Sequence, residues 1–282
     1  MSSAHTRVVD DSFPASRVPT DGWHCTHYFY RFCRQTLTAL DPSERQRGCQ
    51  AFCDALAPDT PASPQRLQIS LISGHKADFG LMLMDPDPLK IDAIHQALLA
   101  GPLGPAIEPT YSFVSLSEIS EYVPTFDQYA RMLEHDGLAP GSENFEAKMK
   151  AYRAREPMMR YQRLTPDFPD WPANCFYPMN KKRKVGENWF LLGMEERQRL
   201  MSEHARSGMH FAGKVTQLIT VGLGLEDWEW GVTLWARNPE FLKEIVYRMR
   251  FDEASARYAE FGPFYTGYRS TADEVLEHCR VA

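Results

Sequence analysis

The stretch Phe79-Gly80-Leu81-Met82-Leu83-Met84, followed by Pro88, returns later in the chain as Trp230-Gly231-Val232-Thr233-Leu234-Trp235, followed by Pro239. The offset is 151 residues, and the glycine-to-proline distance is eight in both copies. A repeat of this kind settles architecture before any single motif does. At the same offset the strand near Trp23 to Phe32 falls on Asn174 to Arg183, the helix near Cys49 and Cys53 falls on Arg197 to Gly208, and Phe113 falls on Phe264.

Working outward from the first copy, the periodicity predicts strand (Trp23 to Phe32), helix (Pro42 to Leu56), a proline-rich loop, strand (Leu67 to Ser73), strand (Phe79 to Met84), helix (Pro88 to Leu99) and strand (Tyr111 to Leu116). This βαββαβ order is the ferredoxin-like split unit. The second copy predicts strand (Asn174 to Met179), helix (Met194 to Ser207), strand (Val215 to Val221), strand (Trp228 to Trp235), helix (Glu240 to Met249, running on toward Tyr258) and strand (Phe264 to Tyr268). The expected class is therefore α+β, with two ferredoxin-like units in tandem. Each unit leaves one sheet face without helices, so the two faces pack together or the sheets join edge to edge into a barrel-like core. The expected boundaries are a loose tail over 1–15, a first unit over 16–123, a connecting segment over 124–156 and a second unit over 157–282.

Composition narrows the function classes. The 282 residues are 43% hydrophobic and 24% charged, in the ordinary globular range, with 31 Lys plus Arg against 37 Asp plus Glu. A formal charge of −6 gives no global footprint for nucleic acid. The sequence has neither a run long enough to span a membrane nor a secretory leader, so a cytoplasmic protein is expected. The six cysteines form no C-x-x-C pair. Cys49 and Cys53 share a helix face, but no matching pair completes a metal set.

Three segments could carry chemistry. Along Asn174 to Lys181, alternation sends Cys175, Tyr177, Met179 and Lys181 to one face, a phenol, a thioether and an amine in one wall; a plain sheet edge is the competing reading. On the helix from Met194, an apolar face of Met194, Leu200 and Met201 also carries His204, as either a packed core histidine or an axial iron ligand. Between Met249 and Tyr258, Arg250, Ser255 and Arg257 offer donors suited to carboxylates, or salt bridges to Asp252, Glu253 and Glu260. Trp228, Trp230, Val232 and Leu234 are expected on one core-facing side of their strand.

Taken together, Tyr177-Pro178-Met179-Asn180-Lys181-Lys182-Arg183, the Glu-Glu-Arg helix ending in His204, DWEWGVTLW from Asp227 and MRFDEASARYAEFGPFYTG from Met249 resemble the coproheme decarboxylases, a group within the chlorite dismutase-like haem proteins. The resemblance is dense from Arg163 to Gly267. It implies a dimeric α+β barrel subunit, assembled as a homopentamer, with one porphyrin in the C-terminal half. Iron coproporphyrin III (coproheme) would be both substrate and redox cofactor: hydrogen peroxide oxidises the iron centre, a tyrosyl radical takes hydrogen from a propionate β-carbon, and two successive losses of carbon dioxide give haem b. A ferrochelatase is the implied supplier.

Residue by residue, the resemblance makes Tyr177 the catalytic tyrosine and His204 the axial ligand. Gln217 falls on the distal side, while Arg163, Lys181, Arg250 and Ser255 hold propionates. Pro178, Met179 and Asn180 line the site with Tyr177. Chlorite-degrading relatives carry a distal arginine where Gln217 offers a neutral amide, which disfavours chlorite chemistry. Two departures stand out: Ala205 follows His204 where relatives often have glycine, and the chain runs some 15 residues past Gly267. A haem-binding or haem-delivery protein without turnover is the alternative.

Overall fold

The computed structural model describes residues 15–282, so most of the expected loose tail lies outside the described residues. The elements are β1 (His24–Phe32), α1 (Arg34–Ala39), α2 (Pro42–Ala55), β2 (Arg66–Ile72), β3 (Phe79–Asp85), α3 (Pro88–Ala100), β4 (Ile107–Ser117), α4 (Phe126–His135), α5 (Glu143–Leu164), β5 (Ala173–Lys181), β6 (Arg183–Lys184), β7 (Glu187–Asn188), α6 (Met194–Met209), β8 (Val215–Val221), β9 (Trp230–Ala236), α7 (Pro239–Met249), α8 (Glu253–Tyr258), β10 (Ala259–Phe261), β11 (Tyr265–Ser270) and α9 (Ala272–His278).

Each unit arranges its strands in the same order, β2-β3-β1-β4 in the first and β8-β9-β5-β11 in the second. The units join edge to edge at both ends. Leu116 and Ser117 of β4 pair with Val221 and Thr220 of β8, and β11 pairs with β2 from Gly267↔Ile72 to Ser270↔Ile69. All pairings are antiparallel and the ring closes, with β10 sharing the β5 edge used by β11. A ring of about eight strands has an interior just wide enough to be filled by side chains. Here Phe29, Phe113, Phe176 and Tyr265 fill one end, and Cys25, Met82, Met84, Leu218 and Trp235 the other.

The repeated glycine has its physical reason in this interior. A Cβ on Gly80 would lie 2.8 Å from the Phe29 ring, and one on Gly231 would lie 2.5 Å from the Phe113 ring. The offset of 151 holds for β3 and β9, but not for every element. Phe29 faces Gly80 and Pro178 faces Gly231, so β1 and β5 correspond at 149, which makes Tyr177 the counterpart of Tyr28. Phe113 pairs with His27 and Tyr265 with Phe176, so Phe113 corresponds to Tyr265 and not to Phe264. A one-residue slip reverses faces in a pleated strand. Accordingly Tyr265 lies inside the barrel, while Phe264 lies on the helix side against Tyr177.

Two further expectations are corrected, and two segments gain definition. Trp228 precedes β9 and packs with the interior cluster, apart from Val232 and Leu234 on the outer face. The helix expected to run toward Tyr258 breaks after Met249, because Asp252 caps a new helix by accepting the Ser255 N–H at 2.9 Å. The connecting segment carries two helices, and α5 crosses the expected boundary at 156 and continues through Pro157 to Leu164. The residues past Gly267 are structured: α9 lays Val275 and Leu276 into the core under α2 and α3.

Gly231→Val is expected to lower stability by about 1–3 kcal/mol through overpacking against Phe113. Urea unfolding checks this, and an unchanged midpoint would contradict the close packing described for the barrel interior.

Candidate active site

Both units turn their second sheet face outward to helices. On the outer face of the second unit the register sets three rows across β5, β9 and β8: Cys175–Leu234–Gln217, Tyr177–Val232–Ile219 and Met179–Trp230–Val221. Helix α7 lies over β9, β5 and the start of β8, where Tyr177 is buried among Val232, Leu242 and Ile245. The middle of β8 is open on this face. Ile219 is 40% exposed although Tyr177 and Val232 in the same row are buried, and Gln217 is exposed.

The Tyr177 ring stacks on Phe264 at 4.4 Å and lies 5.8 Å from Phe261. Burial pushes its phenol well above the ordinary value; Cys175 adds to the shift and the Arg250 charge opposes it. Arg250 therefore acts on Tyr177 from the end of α7, with its guanidinium 3.8 Å over the Phe261 ring. Lys181, two pleats beyond Tyr177 on the same face, rests its ammonium 4.1 Å over the Trp189 ring. Burial pulls Lys181 down to about 8, and Asp252 offsets this in part. Neither Lys181 nor Arg250 is in an ion pair among the described residues.

His204 sits on α6, which packs against α8. Its Nδ1 lies 2.9 Å from Oδ2 of Asp252, whose side chain is 1% exposed. Burial raises the Asp252 carboxyl, but the hydrogen bonds from His204 and Ser255 outweigh it and leave the carboxyl below its usual range. A carboxylate on Nδ1 fixes the tautomer that leaves Nε2 with a free lone pair. Among the described residues Nε2 makes no hydrogen bond. An imidazole held in this way can coordinate a metal, and the neighbouring cations can hold carboxylates.

The structure thus gathers Tyr177, Met179, Lys181 and Arg250 in one group, and His204 with Ser255 in another, linked through the charge of Asp252. Three expectations change. Pro178 and Asn180 point to the other face of β5: Pro178 packs on Gly262, and Asn180 Oδ1 accepts the Glu229 N–H at 2.8 Å. Their side chains cannot line the outer face, because alternation places them opposite Tyr177. Ser255, expected at a propionate, is buried with its hydroxyl 3.4 Å from His204 Nδ1. Met194 is exposed, and Leu200 carries the burial of α6. Arg163 lies half-buried in the last turn of α5, the helix that packs on β8.

Residues missed in the sequence are Asp252 and Trp189. The spacing Asp252-x-x-Ser255 is a cap signal that could have placed a helix start there. Nothing in the spacing shows Trp189 under Lys181, a contact made only by the fold.

Against this geometry, the sequence profile described as "Chlorite dismutase" matches residues 45–270. The chain belongs to the chlorite dismutase family. It is 38% identical over 262 residues to the coproheme decarboxylase of Staphylococcus carnosus (strain TM300), covering 91% of this chain and 95% of that one. A haem-binding protein from Thermus thermophilus superposes with a TM-score of 0.73 at 29% identity, over 92% of this chain and 96% of that chain. A chlorite dismutase variant from Candidatus Nitrospira defluvii has the same fold, with a TM-score of 0.69 at 16% identity over 93% and 96% of the two chains.

Asp252→Ala removes the α8 cap and is expected to cost about 0.5–2 kcal/mol. Asp252→Asn keeps a capping oxygen and should lose less; equal destabilisation in chemical unfolding would show that the cap is not the stabilising contact.

Proposed function

We propose that the chain converts iron coproporphyrin III to haem b by oxidative decarboxylation of two propionates to vinyl groups, with hydrogen peroxide as oxidant. The observation that carries this reading is a buried phenol, Tyr177, flanked by two cations that make no ion pair among the described residues, Lys181 on the same strand face and Arg250 at the end of α7. The 38% identity to a coproheme decarboxylase supports it.

The donor set fits an iron porphyrin. An imidazole backed by a buried carboxylate suits the iron, an open apolar strip at Ile219 suits a flat macrocycle, and Lys181 and Arg250 suit carboxylate side arms. When bound, the iron porphyrin supplies the oxidising equivalents drawn from peroxide. The remaining work falls to the chain. His204 would hold the iron through Nε2, its ring fixed by Asp252 with Ser255 beside the same Nδ1. Lys181, Arg250 and Arg163 orient the carboxylates, so that a propionate β-carbon stands by the Tyr177 oxygen. The Tyr177 phenol stays protonated in its apolar pocket, so its O–H bond is available to be broken and remade as hydrogen passes from the β-carbon. Met179 borders Tyr177, and Gln217, exposed on the outer face of β8, would lie on the distal side.

Gln217 supplies an amide and no fixed charge, which disfavours chlorite as substrate. By likeness to the family, the chain acts in the cytoplasm as a homo-oligomer, a pentamer, and receives its porphyrin from a ferrochelatase. No helix among the described residues is long and apolar enough to cross a membrane.

Tyr177→Phe is expected to take up the porphyrin but to yield no loss of carboxyl groups when peroxide is added, followed by mass spectrometry of the porphyrin. Wild-type turnover in that variant would remove Tyr177 from the reaction, and uptake without conversion by the wild type would favour a carrier. The Lys181 ammonium is present below about 8 and lost above it. Porphyrin affinity should therefore weaken as pH rises through that value, and Lys181→Met should flatten this dependence in a fluorescence-quenching titration.

A further inference from the structure

Tyr28, at the position in the first unit that Tyr177 occupies in the second, stacks on His95 at 4.8 Å with the rings 8° from parallel. The fully buried Tyr30 places its hydroxyl 2.8 Å from Nδ1 of the same imidazole. The first unit thus holds a phenol paired with a base.

An aromatic chain joins this pair to the candidate active site. Tyr177 stacks on Phe264 at 4.4 Å, the next residue Tyr265 stacks on Phe29 at 4.0 Å inside the barrel, and Tyr30 follows Phe29 in β1. The two covalent steps cross only neighbouring residues of one strand or loop, whose Cα atoms are about 3.8 Å apart. A second route runs from Phe176, beside Tyr177, to Phe29 at 5.6 Å.

We propose that Tyr30 with His95 is a second redox-active site, which takes the oxidising equivalent from Tyr177 through Phe264, Tyr265 and Phe29 when no propionate is in place to react. This inference rests on the role given to Tyr177 above. In the step, Tyr30 gives up one electron along the chain, and its phenolic proton passes to His95 Nδ1. The oxidised Tyr177 regains one electron, takes a proton from water and returns to the phenol. The oxidant is hydrogen peroxide acting through the bound iron porphyrin.

The choice of Tyr30 follows from proton chemistry, since a phenol gives up an electron readily only when its proton has somewhere to go. Tyr265 makes no hydrogen bond among the described residues, and the Tyr111 hydroxyl is buried without a partner. Tyr30 alone on this route has a nitrogen base in contact. Burial lowers the His95 pKa and favours the neutral imidazole, which in its Nε2–H tautomer accepts the Tyr30 proton at Nδ1. The ring is half-buried and can pass the proton on to water.

The test uses the full chain loaded with haem b, which lacks the reacting propionates, mixed with peroxide and freeze-quenched for electron paramagnetic resonance, a readout that needs no access to the buried Tyr30 ring. A tyrosyl radical signal that disappears in Tyr30→Phe, and also in His95→Phe where the phenol remains, supports the proposal. Both variants keep an aromatic ring in place, and coproheme conversion by each reports that the fold is intact. A radical spectrum unchanged by Tyr30→Phe, or unchanged by His95→Phe, overturns it. Normal conversion of coproheme with no Tyr30 signal fells this inference alone, whereas a Tyr30 signal in a protein that never decarboxylates fells the proposed function.

Discussion

Everything in this molecule depends on the closure of one sheet. A ferredoxin-like unit has two edge strands with unpaired backbone groups and a sheet face without helices, and in this chain the apolar rings on that face make both a liability in water. Placing two such units head to tail pairs β4 with β8 and β11 with β2, which removes both edges and encloses both bare faces at once. Side chains reinforce the join from inside. Ser115 reaches Thr220, Asn174 reaches Ser70, Trp235 reaches Gln68, and His27 reaches Thr233, each bond running from one unit to the other. Buried polar groups are costly unless paired, so the interior accepts only the register in which these pairs meet.

Closure also decides where chemistry can occur. With the interior filled by rings, the outer faces alone can take a ligand, and the two units treat theirs differently. In the first, α2, α3 and α9 seal the face with Phe52, Ile94, Leu98 and Val275. In the second, α7 packs on β9, β5 and the start of β8 and leaves Gln217 and Ile219 of β8 exposed. The same strand position carries Tyr28, half-buried against His95, and Tyr177, buried beside the open strip.

The electrostatics of the open face centre on Asp252. Its carboxylate caps α8, holds His204 and lends charge to the surroundings of Lys181, so one buried residue supports the helix start, the imidazole and the amine. That a single helix break serves all three explains why α7 and α8 are separate helices.

Much of this was legible in the sequence. The repeat around Gly80 and Gly231 determined the tandem units, because glycine in a packed strand marks a close approach. Alternation placed Tyr177, Met179 and Lys181 on one face, because the pleat has a period of two and needs no tertiary information. It also placed Pro178 and Asn180 on the opposite face, which motif resemblance overrode and the structure restored. The offset of Phe113 to Phe264 failed because loops between strands change length by single residues, and only pairing fixes parity. Arg250 beside Tyr177 and Asp252 against His204 join elements far apart in sequence, and Trp189 comes beneath Lys181 only because the β6–β7 turn folds back on the end of β5. Those contacts, and the choice of edge-to-edge closure over stacked sheets, came from the tertiary structure alone, since side-chain distances across elements arise only when the backbone has closed.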